Sequence, residues 1–147
     1  MESRLNHLLA NVTVEYHKLQ NLHWYISGSD FFQVHAKLEE LYDSLLPVVD
    51  DVAETILQLG GKPIASLGEV LSTATIKERE DAPVRSAEIF DIVLTDFSAL
   101  LQEVTSIKVA ADEENNHLVS ALMDDYIASL SKTIWMIRQQ RAEPERT

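Results

Sequence analysis

Residues 30–59 constrain the fold most. Phe31, Val34, Leu38, Leu41, Leu45, Val48, Val52 and Ile56 recur every three or four positions, which is the period of a helix with one buried face. Both ends of this helix are marked. Asp30 followed by Gln33 predicts a capping box, in which each side chain satisfies an orphaned backbone donor. At the other end Gly60 and Gly61 supply a left-handed stop and Pro63 bars continuation. One rod from Asp30 to Leu59 follows, with Pro47 removing a backbone hydrogen bond and predicting a bend near its middle.

The rod carries an unusual set of side chains. His35 and Glu39 lie one turn apart, as do Asp50 and Glu54, and all four fall within roughly 100° of azimuth at 3.6 residues per turn. From Glu39 to Asp50, however, the helix climbs about 16 Å at 1.5 Å per residue, so no single ion bridges the two pairs. Two copies packed antiparallel about a point near Ser44 and Leu45 remove the difficulty. His35 and Glu39 of one chain then face Asp50 and Glu54 of the other, giving two identical sites. His23 lies on the preceding helix, and a hairpin through Ser27, Gly28 and Ser29 brings it beside His35. Nitrogen and oxygen donors without a thiolate suit iron, zinc or manganese rather than copper(I). Taken singly, each of these residues is ordinarily a packed or solvated side chain. Leu41, Leu45, Val48 and Val52 beside the same stripe make it an interface instead.

Elsewhere the chain reads as helices. Its 147 residues form one expected domain, 1–147, and contain only four glycines and four prolines, too few for many strands and turns. Cysteine is absent, which excludes disulfides and zinc–cysteine sites. The stretch MESRLNHLLANVTVEYHKLQ has neither a signal-peptide apolar core nor a bilayer-length span, so a cytoplasmic location without membrane contact is expected. A first helix is predicted from Glu2 to Ile26, with Leu5, Leu8, Val12, Tyr16, Leu19, Leu22 and Ile26 inward. The connection from Gly60 to Ala82 holds a short helix capped by Ser66 and Glu69. A third long helix is expected to start near Pro83 as a first-turn residue. A fourth, after a polar break at Asp112 to Asn116, turns Leu118, Leu122, Tyr126, Leu130, Ile134 and Ile137 inward. Residues 141–147 lack periodicity. The expected class is all-α, a four-helix bundle of ferritin-like architecture with a short extra helix in the long crossover.

Residues 19–63, LQNLHWYISGSDFFQVHAKLEELYDSLLPVVDDVAETILQLGGKP, strongly resemble the signature of the Dps-like mini-ferritins, the DNA-binding proteins from starved cells. TIKERED and SLSKTIWMIR are similar to that family as well. The resemblance implies that His23, His35 and Glu39 are metal ligands from one subunit, and Asp50 and Glu54 those from its two-fold partner. The family often has aspartate at the position of Glu39, which leaves direct or water-mediated contact open. Trp24 matches a tryptophan beside the iron site that takes up stray oxidising equivalents, with interface packing as the alternative. The single Glu-x-x-His pair, Glu114 and His117, falls at a helix break, against the intrasubunit di-iron site of the larger ferritins. The implied activity is ferroxidase. Fe(II) is oxidised, preferentially by hydrogen peroxide and otherwise by O2, and stored as ferric oxyhydroxide in a hollow homododecamer that protects against oxidative stress. Asp112, Glu113, Glu114, His117, Asp124 and Asp125 are candidates for lining three-fold pores, although Ala121 stands where relatives often have a pore aspartate. Glu40, Asp43 and Asp51 are candidates for nucleating the mineral.

Charge bears on the family's other activity. The chain has 12 basic and 24 acidic residues, a net −12, which opposes a phosphate backbone. Arg4 is nearly alone at one end, and Arg138, Arg141 and Arg146 are interleaved with Glu143 and Glu145 at the other, so direct DNA binding is disfavoured. The competing readings are a non-catalytic helical shell or adhesin, a DNA-protecting assembly, and a zinc- or manganese-binding bundle. His7 and His17 have no assigned role.

Overall fold

The computed structural model describes residues 1–142. It consists of α1 (Glu2–Tyr25), α2 (Phe31–Gln58), α3 (Leu67–Thr73), α4 (Ser86–Glu113) and α5 (His117–Arg141). α1 packs along α2 and α4 along α5, while α1 also meets α3 and α4. This is the expected bundle of four long helices with a short one in the crossover. The described residues contain no strand, only an isolated parallel bridge between Ile26 and Val84. The aperiodic tail falls on residues 143–147, outside the described residues, whereas Arg141 still belongs to α5.

The interior follows the helical periodicity. Leu5, Leu8, Leu19 and Leu22 of α1 meet Leu38, Val52 and Ile56 of α2, and Ile89, Phe97, Leu100 and Ile107 of α4 join them in one core. Each fully buried side chain of this size contributes about 1.5–3 kcal/mol of transfer free energy. One inward residue is corrected. Leu118 is 47% exposed, and Val119 and Met123, both at 0%, take the inner stripe of α5.

Helix ends show which local signals prevailed. α2 stops in a Schellman motif: Gly60 adopts φ +82, Gly61 N–H donates to Ile56 O at 2.9 Å and Gly60 N–H to Leu57 O at 3.0 Å, as the double glycine predicted. α4 ends the same way on an asparagine. Asn115 takes φ 54, Asn116 N–H reaches Ala111 O at 2.8 Å, and Asn116 then caps α5 by accepting from Val119 N–H at 3.2 Å. Ser66 Oγ accepts from Glu69 N–H at 3.3 Å and donates to Glu69 Oε1 at 3.1 Å, so α3 has its cap.

The box predicted at Asp30 does not form. Asp30 makes no side-chain cap bond and sits at φ −100, ψ 21, away from the extended backbone from which a capping side chain reaches the first turn. The start expected near Pro83 moves to Ser86, with Arg85 as N-cap. Val84 is held extended by its bridge, donating to Tyr25 O at 3.1 Å and accepting from Ser27 N–H at 2.9 Å. α2 runs unbroken through Pro47 from Phe31 to Gln58.

The long crossover is bound to α1 by asparagines. Asn6 accepts from Ile64 N–H at 2.9 Å and donates to Lys62 O at 3.0 Å. Asn11 accepts from Thr75 N–H at 2.8 Å and Ile76 N–H at 3.0 Å. Such bonds satisfy backbone groups that an irregular segment leaves open.

Candidate metal centre

α1 and α2 form a hairpin that brings His23 and His35 face to face, with ring centroids 3.6 Å apart and planes 12° off parallel. His23 Nδ1 lies 2.6 Å from His35 O, and His35 Nδ1 lies 2.7 Å from His23 O. A carbonyl oxygen only accepts, so each Nδ1 carries the proton and donates it. In a neutral ring this selects the Nδ1–H tautomer and puts the lone pair on Nε2, the form in which imidazole binds a metal. Phe31 stacks on His35 at 4.8 Å, and Tyr42 meets the His23 ring edge-on at 5.4 Å. His23 is only 7% exposed.

The carboxylates are placed differently. Glu39, one turn beyond His35, is exposed, and its Oε1 accepts from Tyr42 OH at 3.4 Å. Burial, then Glu39, then Asp43 push the Tyr42 phenol above its ordinary value. Asp50 and Glu54 lie exposed further along α2. Among the described residues, no three His, Cys, Asp or Glu side chains of one chain form a group able to hold a metal ion. One chain therefore presents two imidazoles with a nearby carboxylate, and a separate pair of carboxylates. This nitrogen and oxygen donor set, with both imidazoles in the ligating tautomer, fits a hard or borderline divalent metal.

Trp24 is 62% exposed beside the histidine pair in sequence, its ring edge-on to His17 at 6.3 Å. His7 is accounted for by a contact of 2.6 Å between its Nδ1 and Glu103 Oε2. Of the acidic candidates around the α4–α5 turn, Asp112 and Asp124 are engaged. Lys108 Nζ reaches Asp124 at 2.9 Å and Asp112 at 3.6 Å. Ser120 Oγ donates to Asp112 at 2.5 Å, and this hydroxyl, with Lys108, holds the Asp112 carboxyl below its ordinary value despite some opposing burial. Glu113, Glu114, His117 and Asp125 stay exposed.

Two ionisable residues in the bundle interior were missed by sequence reasoning. Glu15 of α1 is fully buried, and neither of its oxygens has a hydrogen-bond partner by geometry. It faces Asp96 of α4, itself 2.8 Å from Lys18 Nζ. Burial first, and then Asp96, push the Glu15 carboxyl well above its ordinary value, with Lys18 opposing. Spacing gave the signal. Glu15 lies three residues after Val12 and four before Leu19, on the apolar stripe, and Asp96 stands likewise between Val93 and Leu100.

A bundle with this crossover and a paired-histidine hairpin defines a protein of the ferritin-like class, and the Ferritin-like domain family matches residues 2–147. The chain is 36% identical over 138 residues to a DNA protection during starvation protein of Helicobacter pylori, covering 94% of this chain and 96% of that one. It is 37% identical to general stress protein 20U of Bacillus subtilis, covering 91% and 92%. Its structure superposes with a TM-score of 0.93 on a DPS protein from Vibrio cholerae O1, described as a member of a broad superfamily of ferritin-like diiron-carboxylate proteins. That match has 37% identity and covers 96% of this chain and 88% of the other. The chain belongs to the Dps-like mini-ferritins. No helix among its described residues is long and apolar enough to cross a membrane.

Proposed function

We propose that the chain is an iron-storage and detoxification protein that oxidises Fe(II) at sites shared between two subunits. His23, His35 and Glu39 of one subunit, with Asp50 and Glu54 of its two-fold partner, hold the Fe(II) substrate. The single observation supporting this most is the reciprocal clasp, because it fixes two imidazoles in the ligating tautomer against one another. The described residues of one chain hold no complete site, and an isologous pairing of α2 would supply the missing carboxylates. The family resemblance carries the remaining steps: a hollow dodecamer in a cytoplasmic protein, a ferric oxyhydroxide core, and a preference for peroxide.

Chemically, anionic oxygen donors stabilise Fe(III) over Fe(II) and so favour electron loss. Two Fe(II) ions each give one electron to a hydrogen peroxide molecule, whose O–O bond breaks and whose oxygens take up protons to leave as water. Iron and peroxide, the two reactants of hydroxyl-radical chemistry, are consumed together. DNA is then protected without being bound, in keeping with the net charge of −12.

The test is Fe(II) loaded anaerobically and then mixed with peroxide. Ferric absorbance is expected to grow faster than in buffer and faster than with the His23→Gly, Asp50→Ala double variant. Equal rates would overturn the reading.

A further inference from the structure

We infer that Tyr42 is a positioning residue for the metal site, tethering the Glu39 carboxylate beside the histidine pair. The inference rests on the reading of His23, His35 and Glu39 as ligands. The imidazoles are fixed by backbone carbonyls, but Glu39 is exposed and has two χ bonds beyond Cβ to order, a larger rotamer cost than aspartate would carry. Tyr42 supplies the missing restraint. Its hydroxyl donates to Glu39 Oε1 at 3.4 Å, leaving Oε2 available to a metal, while its ring lies 5.4 Å from His23 at 88°. It thus touches both an imidazole and the carboxylate of one half-site.

The phenol is itself braced from α1. Tyr16 packs edge-on against Tyr42 at 5.7 Å and 77°, and Gln20 Nε2 donates to the Tyr16 hydroxyl at 3.4 Å. Tyr16, Gln20 and His23 fall four and three residues apart on one face of α1. That face positions the α2 tyrosine, and the tyrosine positions the carboxylate. A braced partner of this kind limits where a ligand can swing, which is how outer hydrogen bonds tune metal affinity.

Co(II) titration followed by its visible d–d bands tests this with an oxidation-stable probe. Tyr42→Phe keeps the ring and should leave helical circular dichroism and assembly size unchanged. It should weaken Co(II) binding about tenfold and alter the band shape. In a Glu39→Ala background the same substitution should change affinity little, since no side-chain acceptor remains to be tethered. Unchanged affinity and spectrum in Tyr42→Phe, or an equal loss in both backgrounds, would overturn the tether. Absence of Co(II) binding by the unmodified chain would instead overturn the metal site, and the tether with it.

Discussion

His23 and His35 each donate Nδ1–H to the other's backbone carbonyl, at 2.6 and 2.7 Å, so one pair of contacts both ties α1 to α2 and aims two Nε2 lone pairs. The two roles separate by substitution. Asparagine at position 35 places an amide N–H near the former Nδ1 but has nothing in place of Nε2. His35→Asn should stay close to the unmodified protein in urea denaturation, whereas His35→Ala leaves the His23 carbonyl unpaired and should lose about 1–3 kcal/mol. Both should lose rapid Fe(II) oxidation. Retained oxidation in His35→Asn would remove Nε2 from the proposed chemistry.

If each site takes its histidines from one subunit and two carboxylates from the other, two dead variants should rescue one another. A His23→Ala, His35→Ala chain and an Asp50→Ala, Glu54→Ala chain are each expected to be inactive alone. Paired as a heterodimer they form one wholly damaged site and one intact site, giving about half the Fe(II) oxidation of an unmodified dimer. Stopped-flow absorbance on co-refolded, tag-separated mixtures measures this. Inactive heterodimers would contradict the partition.

Much of this was legible because helical periodicity and glycine punctuation act locally. The α2 stripe and the Gly60 stop depend on neighbours within one turn, and the structure follows them. The failures have non-local causes. Val84 is drawn into a bridge by Ile26, 58 positions away, which delays α4 past Pro83. Asp30 turns out of capping geometry in the hairpin between α1 and α2. The histidine pair was expected from spacing, but its clasp was not, since sequence does not display backbone carbonyls as partners. Glu15 and Asp96 stand on apolar stripes in the sequence, but their pairing across α1 and α4 comes from the packing of two helices distant in the chain, which spacing along one helix does not display.

Gly60 and Asn115 hold the same left-handed position in two Schellman motifs, at φ +82 and φ 54. Space is not limiting at Gly60, where a Cβ would meet nothing within 4 Å, so Gly60→Ala should report backbone strain alone, about 1–2 kcal/mol. Asn115→Gly should be neutral or slightly stabilising, and Asn115→Val destabilising by a similar amount, because a β-branched residue tolerates this region poorly. Thermal unfolding of the three variants gives the order. Equal stability of Asn115→Gly and Asn115→Val would show that this turn relaxes out of the left-handed geometry.

Glu15 makes stability depend on pH in a stated direction. Its carboxyl titrates higher in the fold than in the unfolded chain, chiefly through burial and then through Asp96. Below the ordinary value of 4.5 both states are protonated and Glu15 carries no penalty. As pH rises above it, the unfolded chain releases a proton that the folded chain retains, so unfolding is favoured increasingly until the folded carboxyl also ionises. Glu15→Gln keeps the shape without the titration. Its urea midpoint should match the unmodified protein in acid and exceed it progressively toward neutrality. Lys18→Met provides the converse control. It leaves Asp96 buried without its cation and should cost about 3–5 kcal/mol at neutral pH. A Glu15→Gln midpoint that tracks the unmodified protein at every pH would place the Glu15 carboxyl in solvent rather than in the bundle core.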